Sequence, residues 1–508
     1  MNYFVNENIF TLNSGTEFSA VKRLKMFHNH DVEAKIVTRN YNPNLEGDLK
    51  RVNLTHEDVI NMYDYFQEIT NVTAQDVDVR YTKAIDKLRY HIEGVDANES
   101  LIKHAGRTIG RVGIAPATVG LVGTMDYYSD FGHTIAKDVW DRRGFKSSTE
   151  FFHPDGSLGP QVFFDQNGQP KIEVIRMNVG ENLQPTMYKL LDYKGQIWRF
   201  NTENELFTFF LSELNAVKPA VIINDRPSLI VPVANVTNAT AKWQFLHNIH
   251  TVNTNQAGGS RQIVDYLKDF MDHHVQQFDG IITPTEEQKR EIEKYFKAVK
   301  RVIALPDTYS EPVKFDELTF ELEKRDKNKI VFLGRLSAEK LPGDPIEALA
   351  LLHQALPEAR VEFYGYASPA NVQEELDKIV EKHNLQDFVK FHGYQTSEII
   401  AESLKTAAAI VNTSPAEAFG MNMLEAMSFG VPVVSYKVKY GAKELVENGE
   451  NGYLTAEKSI HPLAQALADL LSNPIKWSDM AKAAFDKAAQ FDENSAWQKW
   501  QNADIISK

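Results

Sequence analysis

The stretch Ser414-Pro-Ala-Glu-Ala-Phe-Gly-Met-Asn-Met-Leu-Glu-Ala-Met-Ser-Phe-Gly-Val-Pro-Val-Val-Ser-Tyr436 decides the reading of the fold. It lies between two apolar runs, Ala407-Ala-Ala-Ile-Val411 and Val431-Pro-Val-Val-Ser435, so it reads as strand, loop, helix, strand. Met421, Met423, Leu424 and Met427 give a helix starting near Gly420 its apolar stripe, and Gly430 ends it before Val431-Pro432. The start of that helix, at Phe419, Gly420, Met421 and Asn422, aims free N–H groups out of the carboxyl edge of a parallel sheet. Those donors and the helix dipole stabilise an anion such as a diphosphate there. Two carboxylates frame the segment: Glu417 in the loop and Glu425 within the helix, so one can face a bound sugar and the other a nucleoside.

The length of 508 residues predicts two to four domains, each able to bury its own core. The absence of cysteine excludes disulfides, thiol catalysis and Cys-ligated zinc, and suits a bacterial cytoplasm. Met1-Asn-Tyr-Phe-Val-Asn-Glu-Asn8 has neither a basic n-region nor a long apolar stretch, so no signal peptide is expected. No apolar run approaches the roughly 18 residues that span a bilayer. A net charge of −14 argues against generic nucleic-acid binding.

From the N-terminus, Tyr3-Phe-Val5 reads as a strand, followed by Asn13-Ser-Gly-Thr-Glu17 and a helix carrying Phe18, Val21, Leu24, Met26 and Phe27. Gly15 in this first loop lets backbone approach a ligand at the strand's carboxyl end. Ala34-Lys-Ile-Val-Thr38 is the next strand. Residues 50–102 then read as helical, with Val59, Ile60, Met62, Tyr63 and Phe66 at helix spacing and a second amphipathic run over Tyr81–Tyr90. Asp76-Val-Asp78 has the D-x-D form of a metal-binding pair but precedes no strand-end glycine loop, so it reads as capping or surface. From about 107 to 202, short strands punctuated by Asp155-Gly156, Asn167-Gly168 and Lys194-Gly195 predict an antiparallel meander. Such a sheet cannot continue a parallel core, so it is an inserted subdomain, and Phe152, Phe164, Tyr188 and Trp198 are expected to be available for an interface.

The α/β rhythm resumes with a helix from Glu203, Ala220-Val-Ile-Ile-Asn-Asp225, and a strand from Lys242 running out into His247 and His250, where open α/β sheets bind ligands. After charged residues 308–328, which read as a linker, Lys329-Ile-Val-Phe-Leu-Gly-Arg-Leu-Ser-Ala-Glu-Lys340 opens a second doubly wound half. Arg335 and Lys340 lie just past the strand, where a guanidinium fork and a point charge can converge on one diphosphate.

Glu417, seven residues, Glu425 and then Gly430-Val-Pro-Val resembles the E-x7-E signature of retaining nucleotide-sugar glycosyltransferases of the GT-B architecture. The resemblance implies that Glu417 contacts the donor sugar and Glu425 the ribose hydroxyls. It also implies that a strand-end histidine, His250 with Thr251 after it or else His247, lies beside the sugar. Gly393-Tyr394-Gln395 is similar to the element that holds the nucleobase, with Tyr394 stacking on uracil. Gly365-Tyr366-Ala-Ser departs from the glycine-acid-glycine turn of many relatives. The insert, with Asn13–Glu17, Tyr440-Gly441, Glu444, Glu447-Asn-Gly449 and Asn451-Gly-Tyr453, resembles two Gram-positive groups. One glycosylates poly(glycerol phosphate) or poly(ribitol phosphate) teichoic acid. The other is the catalytic subunit of the accessory-Sec adhesin O-glycosyltransferase.

The expected fold is thus α/β: GT-B, two doubly wound Rossmann-like domains with an inserted helical plus antiparallel β-meander subdomain. Residues 1–42 and 211–307 form the acceptor-side domain, 43–210 the insert, 308–328 the linker and 329–480 the nucleotide-sugar domain. Residues 481–508 form a C-terminal helix crossing back. The expected activity moves glucose or N-acetylglucosamine from a UDP-sugar, with no bound cofactor or metal, to a teichoic-acid polyol phosphate or to Ser/Thr of a serine-rich adhesin. The alternative is an inactive GT-B paralogue acting as a chaperone or acceptor-recognition subunit. A cytoplasmic protein, with room for peripheral contact at the inner membrane face, is expected to work as a homo-oligomer or with a paralogous subunit.

Overall fold

The computed structural model describes every residue except 76, 78–84, 87, 253–261 and 508. The chain divides into two compact units, one of Met1–Asn13, Val32–Lys242 and Ser507–Lys508, the other of Ser14–Asp31 and Trp243–Ile506.

In the first unit, parallel strands run in the order Val221–Asn224, Asn2–Asn6, Ala34–Thr38, Val59–Asn61. Asn2 lies opposite both Val221 and Ala34, and Ile36 opposite Val59. The helical reading of 50–102 does not hold. Val59–Asn61 extends the parallel sheet, and among the described residues of this stretch after the helix Leu45–Arg51 only Met62–Phe66 is an α-helix, its first turn capped by the Asn61 side chain accepting from the N–H groups of Tyr63 and Asp64. Apolar residues at 59, 60, 62, 63 and 66 fit a helix and a strand-to-helix junction equally well, and the β-branched pair Val59-Ile60 favours the strand. Much of Tyr81–Tyr90, like Asp76 and Asp78 of the D-x-D, lies outside the described residues.

The meander is an antiparallel sheet of ten strands that begins at His91, earlier than expected, and ends at Phe200. The three expected hairpin glycines, Gly156, Gly168 and Gly195, all have positive φ, which a side chain would disfavour. The aromatic expectation needs correction. Glu150, Gln161, Val174, Tyr188 and Phe200 form one cross-strand rung, and the period of two puts Phe152, Tyr188 and Trp198 on the face of buried Val174 and Leu190. Tyr188 is buried there, and Trp198 packs on Phe209 at 4.7 Å. Phe164 is half-buried with the Lys146 ammonium 4.5 Å from its ring centre. The exposed apolar residues include Phe151 and Ile197, of opposite parity, with Phe131, Ile135, Met177 and Val179.

In the second unit, the strand Ala241–Phe245, from Trp243 on, pairs in parallel with Gly280–Thr283, which pairs with Val302–Ala304. A further parallel sheet runs Val389–Phe391, Arg360–Tyr364, Asp326–Leu333, Ala407–Asn412, Val433–Tyr436, Gly452–Thr455. Numbered along the chain this order is 3-2-1-4-5-6, a doubly wound sheet whose order reverses between Asp326–Leu333 and Ala407–Asn412. Its strands are buried and apolar, as strands covered on both faces must be. The end of the charged segment 308–328 is built into this unit: Arg325 is buried and donates to the carbonyls of Thr319, Leu404, Ala407 and Phe429. The last helix, Glu493–Ala503, sets Trp497 and Trp500 edge-on to Phe27 of the helix Gly15–Asn29, at 5.3 and 5.5 Å. Among the described residues no helix is long and apolar enough to cross a membrane.

Candidate functional site

Ligands of doubly wound sheets bind outside the carboxyl ends of the strands, at the point where strand order reverses. Here that point is flanked by the loop after Leu333, which carries Arg335 and Lys340, and the loop after Asn412, which carries Glu417. The two loops meet: Lys340 Nζ lies 2.8 Å from Glu417 Oε2. The Thr413 hydroxyl donates to the carbonyls of Lys340 and Leu341, both at 2.9 Å, fixing the backbone beneath the ammonium. Arg335 instead pairs with Glu339, one turn on and exposed. Both cations are therefore held by carboxylates at the strand edge.

The helix Met421–Ser428 starts where the sequence places it, with Gly420 as its cap at φ 95°. The Leu424 N–H closes the first turn on the Gly420 carbonyl at 3.1 Å. The N–H groups of Met421 and Asn422 are those that a helix start leaves without an intrahelical acceptor. The Asn422 side chain donates to the Leu333 carbonyl at 2.8 Å, tying this helix start to the strand that delivers Arg335. Phe419 is buried edge-on to Phe491 at 5.8 Å, so its side chain serves packing. A methyl group on Gly15 would sit 3.6 Å from Met421 Sδ, which brings the first loop of the chain to the same helix. Burial pushes the Glu425 carboxyl above its ordinary range, and Lys22 opposes that shift.

Three strand-end glycines follow in adjacent strands. Gly334 donates its N–H to the Tyr364 carbonyl and Gly365 to the Gly393 carbonyl, both at 2.9 Å. Gly365, at φ 150°, approaches so closely that a Cβ there would lie 1.9 Å from the Gly334 carbonyl oxygen. The departure from a glycine-acid-glycine turn thus keeps the one glycine that the geometry requires. Tyr394 is partly exposed beside Tyr366, with ring centres 6.1 Å apart.

The two candidate histidines separate. His247 Nδ1 is 2.6 Å from Asp307 and its ring stacks on Phe245 at 4.3 Å, so it is held in a buried pair. His250 is 1% exposed, and its Nε2 has no hydrogen-bond partner among the described residues. Burial pushes its pKa down to about 4, Glu291 raising and Lys439 lowering it, so the ring is neutral near pH 7. Its ring lies parallel to that of Tyr440, centroids 5.9 Å apart and planes 11° apart. Sequence reading missed Glu291 and saw in Tyr440-Gly441 only a recurring pair. The backbone of these residues carries Glu417: the N–H groups of Tyr440 and Gly441 donate to its carbonyl at 2.6 and 2.9 Å. A Cβ at position 441 would meet the Phe419 carbonyl oxygen at 1.8 Å, so the glycine after Tyr440 was the available signal. Among the described residues no group of three or more His, Asp or Glu could hold a metal ion.

Residues 314–487 match the family described as glycosyl transferases group 1, and residues 9–185 match one described as an accessory Sec system protein. The chain is 24% identical over 499 residues to the poly(ribitol-phosphate) alpha-N-acetylglucosaminyltransferase of Staphylococcus aureus, covering 96% of each. It is 23% identical over 478 residues to the GtfA subunit of the UDP-N-acetylglucosamine–peptide N-acetylglucosaminyltransferase of Streptococcus gordonii, covering 92% of this chain and 89% of that one. Among solved structures, an S. aureus TarM variant with fondaparinux, alpha-GlcNAc-glycerol and UDP has a TM-score of 0.81 at 21% identity, covering 99% of both chains. Pneumococcal GtfA with UDP and GlcNAc has a TM-score of 0.83 at 20% identity, covering 99% of this chain and 97% of that one.

Proposed function

From the match of residues 314–487 to the group 1 glycosyl transferases and from its GT-B fold, we propose that this chain is a retaining UDP-sugar-dependent hexosyltransferase. It moves glucose or N-acetylglucosamine to hydroxyls of a teichoic-acid polyol phosphate or of Ser/Thr in a serine-rich adhesin, the acceptor classes that its relatives' names suggest. The observation that carries the reading is the Lys340–Glu417 pair at the reversal point of the sheet, beside the start of Met421–Ser428.

In the reaction the bond from the sugar's anomeric carbon to the β-phosphate oxygen breaks and a bond from the acceptor oxygen to that carbon forms. The acceptor's proton passes to the departing phosphate. Charge grows on the diphosphate as it leaves, and Lys340, Arg335 and the N–H groups at Met421 and Asn422 stabilise it. Glu417 positions the sugar and His250 meets it from the facing loop. Glu425 takes the ribose hydroxyls, Tyr394 the uracil face, and Gly15 lets the first loop approach. His247 supports the strand end through Asp307. Residues 329–480 form the nucleotide-sugar domain and 1–42 with 211–307 the acceptor side. The inserted sheet is the surface for the long acceptor or a second subunit. The cytoplasm, where UDP-sugars are made, is the proposed location.

The match of residues 9–185 to an accessory Sec system protein favours, as a second reading, an inactive subunit that recognises or chaperones the acceptor. The retained Arg335, Lys340, Glu417 and Glu425 argue for catalysis. Incubating the purified chain with UDP-glucose or UDP-N-acetylglucosamine and each acceptor separates the two: the enzyme releases UDP and labels one acceptor, and the inactive subunit releases none.

A further inference from the structure

We propose that Tyr440 is a positioning residue that holds the imidazole of His250 and the loop of Glu417 in one fixed relation. The inference rests on the reading of His250 and Glu417 as donor-sugar contacts. Three contacts at Tyr440 carry it. Its hydroxyl donates to Glu291 at 2.7 Å, and Glu291 is itself ion-paired with Lys439. Its ring lies parallel to the His250 ring with centroids 5.9 Å apart, and its oxygen is 3.5 Å from His250 Nδ1. Its backbone N–H donates to the Glu417 carbonyl at 2.6 Å, while the Glu417 N–H donates to the Lys439 carbonyl at 3.2 Å. A short parallel bridge thus binds Glu417 to residue 440 on one side, and a ring stack binds residue 440 to His250 on the other.

The chemistry of the phenol gives the contact a direction. A tyrosine hydroxyl has one proton, and here it is spent on Glu291, so toward His250 it offers only lone pairs. Gln288 Nε2, which donates to the Asn248 carbonyl at 3.0 Å, lies at the same 3.5 Å from His250 Nδ1, so these contacts fix where the ring sits and not which nitrogen carries its proton. Its Nε2, buried and without a hydrogen-bond partner among the described residues, is the polar atom of the ring left for a hydroxyl of the sugar. Tyr440 and Glu291 touch no reacting atom in this account. They act through the orientation of His250.

The test is a double-mutant cycle on donor turnover in the full chain, with UDP binding followed by calorimetry and folding by thermal melting. Tyr440→Phe keeps the ring and loses the bridge to Glu291, and Glu291→Gln keeps the size and loses the charge. The expected result is a fall in kcat on the order of tenfold or more for each, as for a misplaced contact group, with UDP affinity and melting unchanged. In the His250→Ala background the same changes should add little, because residues acting through one group are not additive. Full additivity with His250→Ala, or an unchanged kcat in Tyr440→Phe while His250→Ala is impaired, overturns the role of Tyr440 alone. Normal turnover in His250→Ala itself overturns the donor-sugar reading of that histidine and the inference with it. If Tyr440→Phe melts early, Glu291→Gln decides the question by the same criteria.

Discussion

Lys340 and Glu417, 77 residues apart in sequence, meet at 2.8 Å between the loops that follow adjacent parallel strands. An ammonium has three donors and Glu417 uses one of them, so the remaining donors are free to meet a diphosphate without breaking the pair. The pair therefore fixes together the carboxylate proposed to meet the sugar and the cation proposed to meet the leaving group.

Replacing Lys340 or Arg335 with Ala should remove stabilisation that grows in the transition state, about 2 to 4 kcal/mol per donor. In kinetics this is a large loss of kcat with a folded protein and a smaller change in donor KM. Lys340→Ala should be the worse of the two, since it also releases Glu417. Near-normal turnover in both single variants would remove these residues from the cradle.

The depressed pKa of His250 predicts a pH dependence of stability. The unfolded chain protonates this imidazole below about pH 6.5, the folded chain only below about 4. The unfolded state thus binds more protons between these values, and stability falls as pH drops from 6.5 to 4. Between pH 7 and pH 5 the group should account for about 2 kcal/mol. His250→Gln should weaken the fall in melting temperature over that interval, and an unchanged slope would mean that the ring is not buried neutral.

Turnover should survive EDTA if the charge of the departing diphosphate falls, as proposed, to Arg335, Lys340 and the helix start. The check is UDP release with and without chelator. Complete loss restored by Mn²⁺ or Mg²⁺ would contradict it and turn attention to Asp76 and Asp78.

The inserted sheet should matter for the acceptor and not for the donor. Phe151→Ser combined with Ile197→Ser alters the exposed face, on residues that are 43% and 54% accessible, and leaves the inward face intact. UDP-sugar hydrolysis should stay unchanged while transfer to the polymer or adhesin falls. Equal transfer by this variant and the parent would show that the face does not meet the acceptor.

The parts of the site that were legible in the sequence are those where one short segment carries its own geometry. Gly420 and the apolar stripe after it mark a helix start whatever surrounds them, and the charged pair after Leu333 marks a strand end. The less legible parts depend on contacts between distant segments. Nothing local distinguishes Glu291 from the other glutamates of the helix Glu286–Tyr295, because its meaning comes from Tyr440, 149 residues on. The same holds for the two histidines, alike in sequence and separated only by Asp307 beside one and Tyr440 beside the other. Val59–Asn61 was misread for the opposite reason: its local pattern allowed a helix, and the neighbouring strand Ala34–Thr38 decided otherwise.

The most direct test of the account is the anomeric configuration of the product formed from the α-configured donors UDP-glucose and UDP-N-acetylglucosamine, read by proton NMR on the glycosylated acceptor. The account predicts consumption of one of them with an α-linked product and loss of that product in Lys340→Ala. A β-linked product, or no consumption of either donor with any of the acceptors, would contradict it.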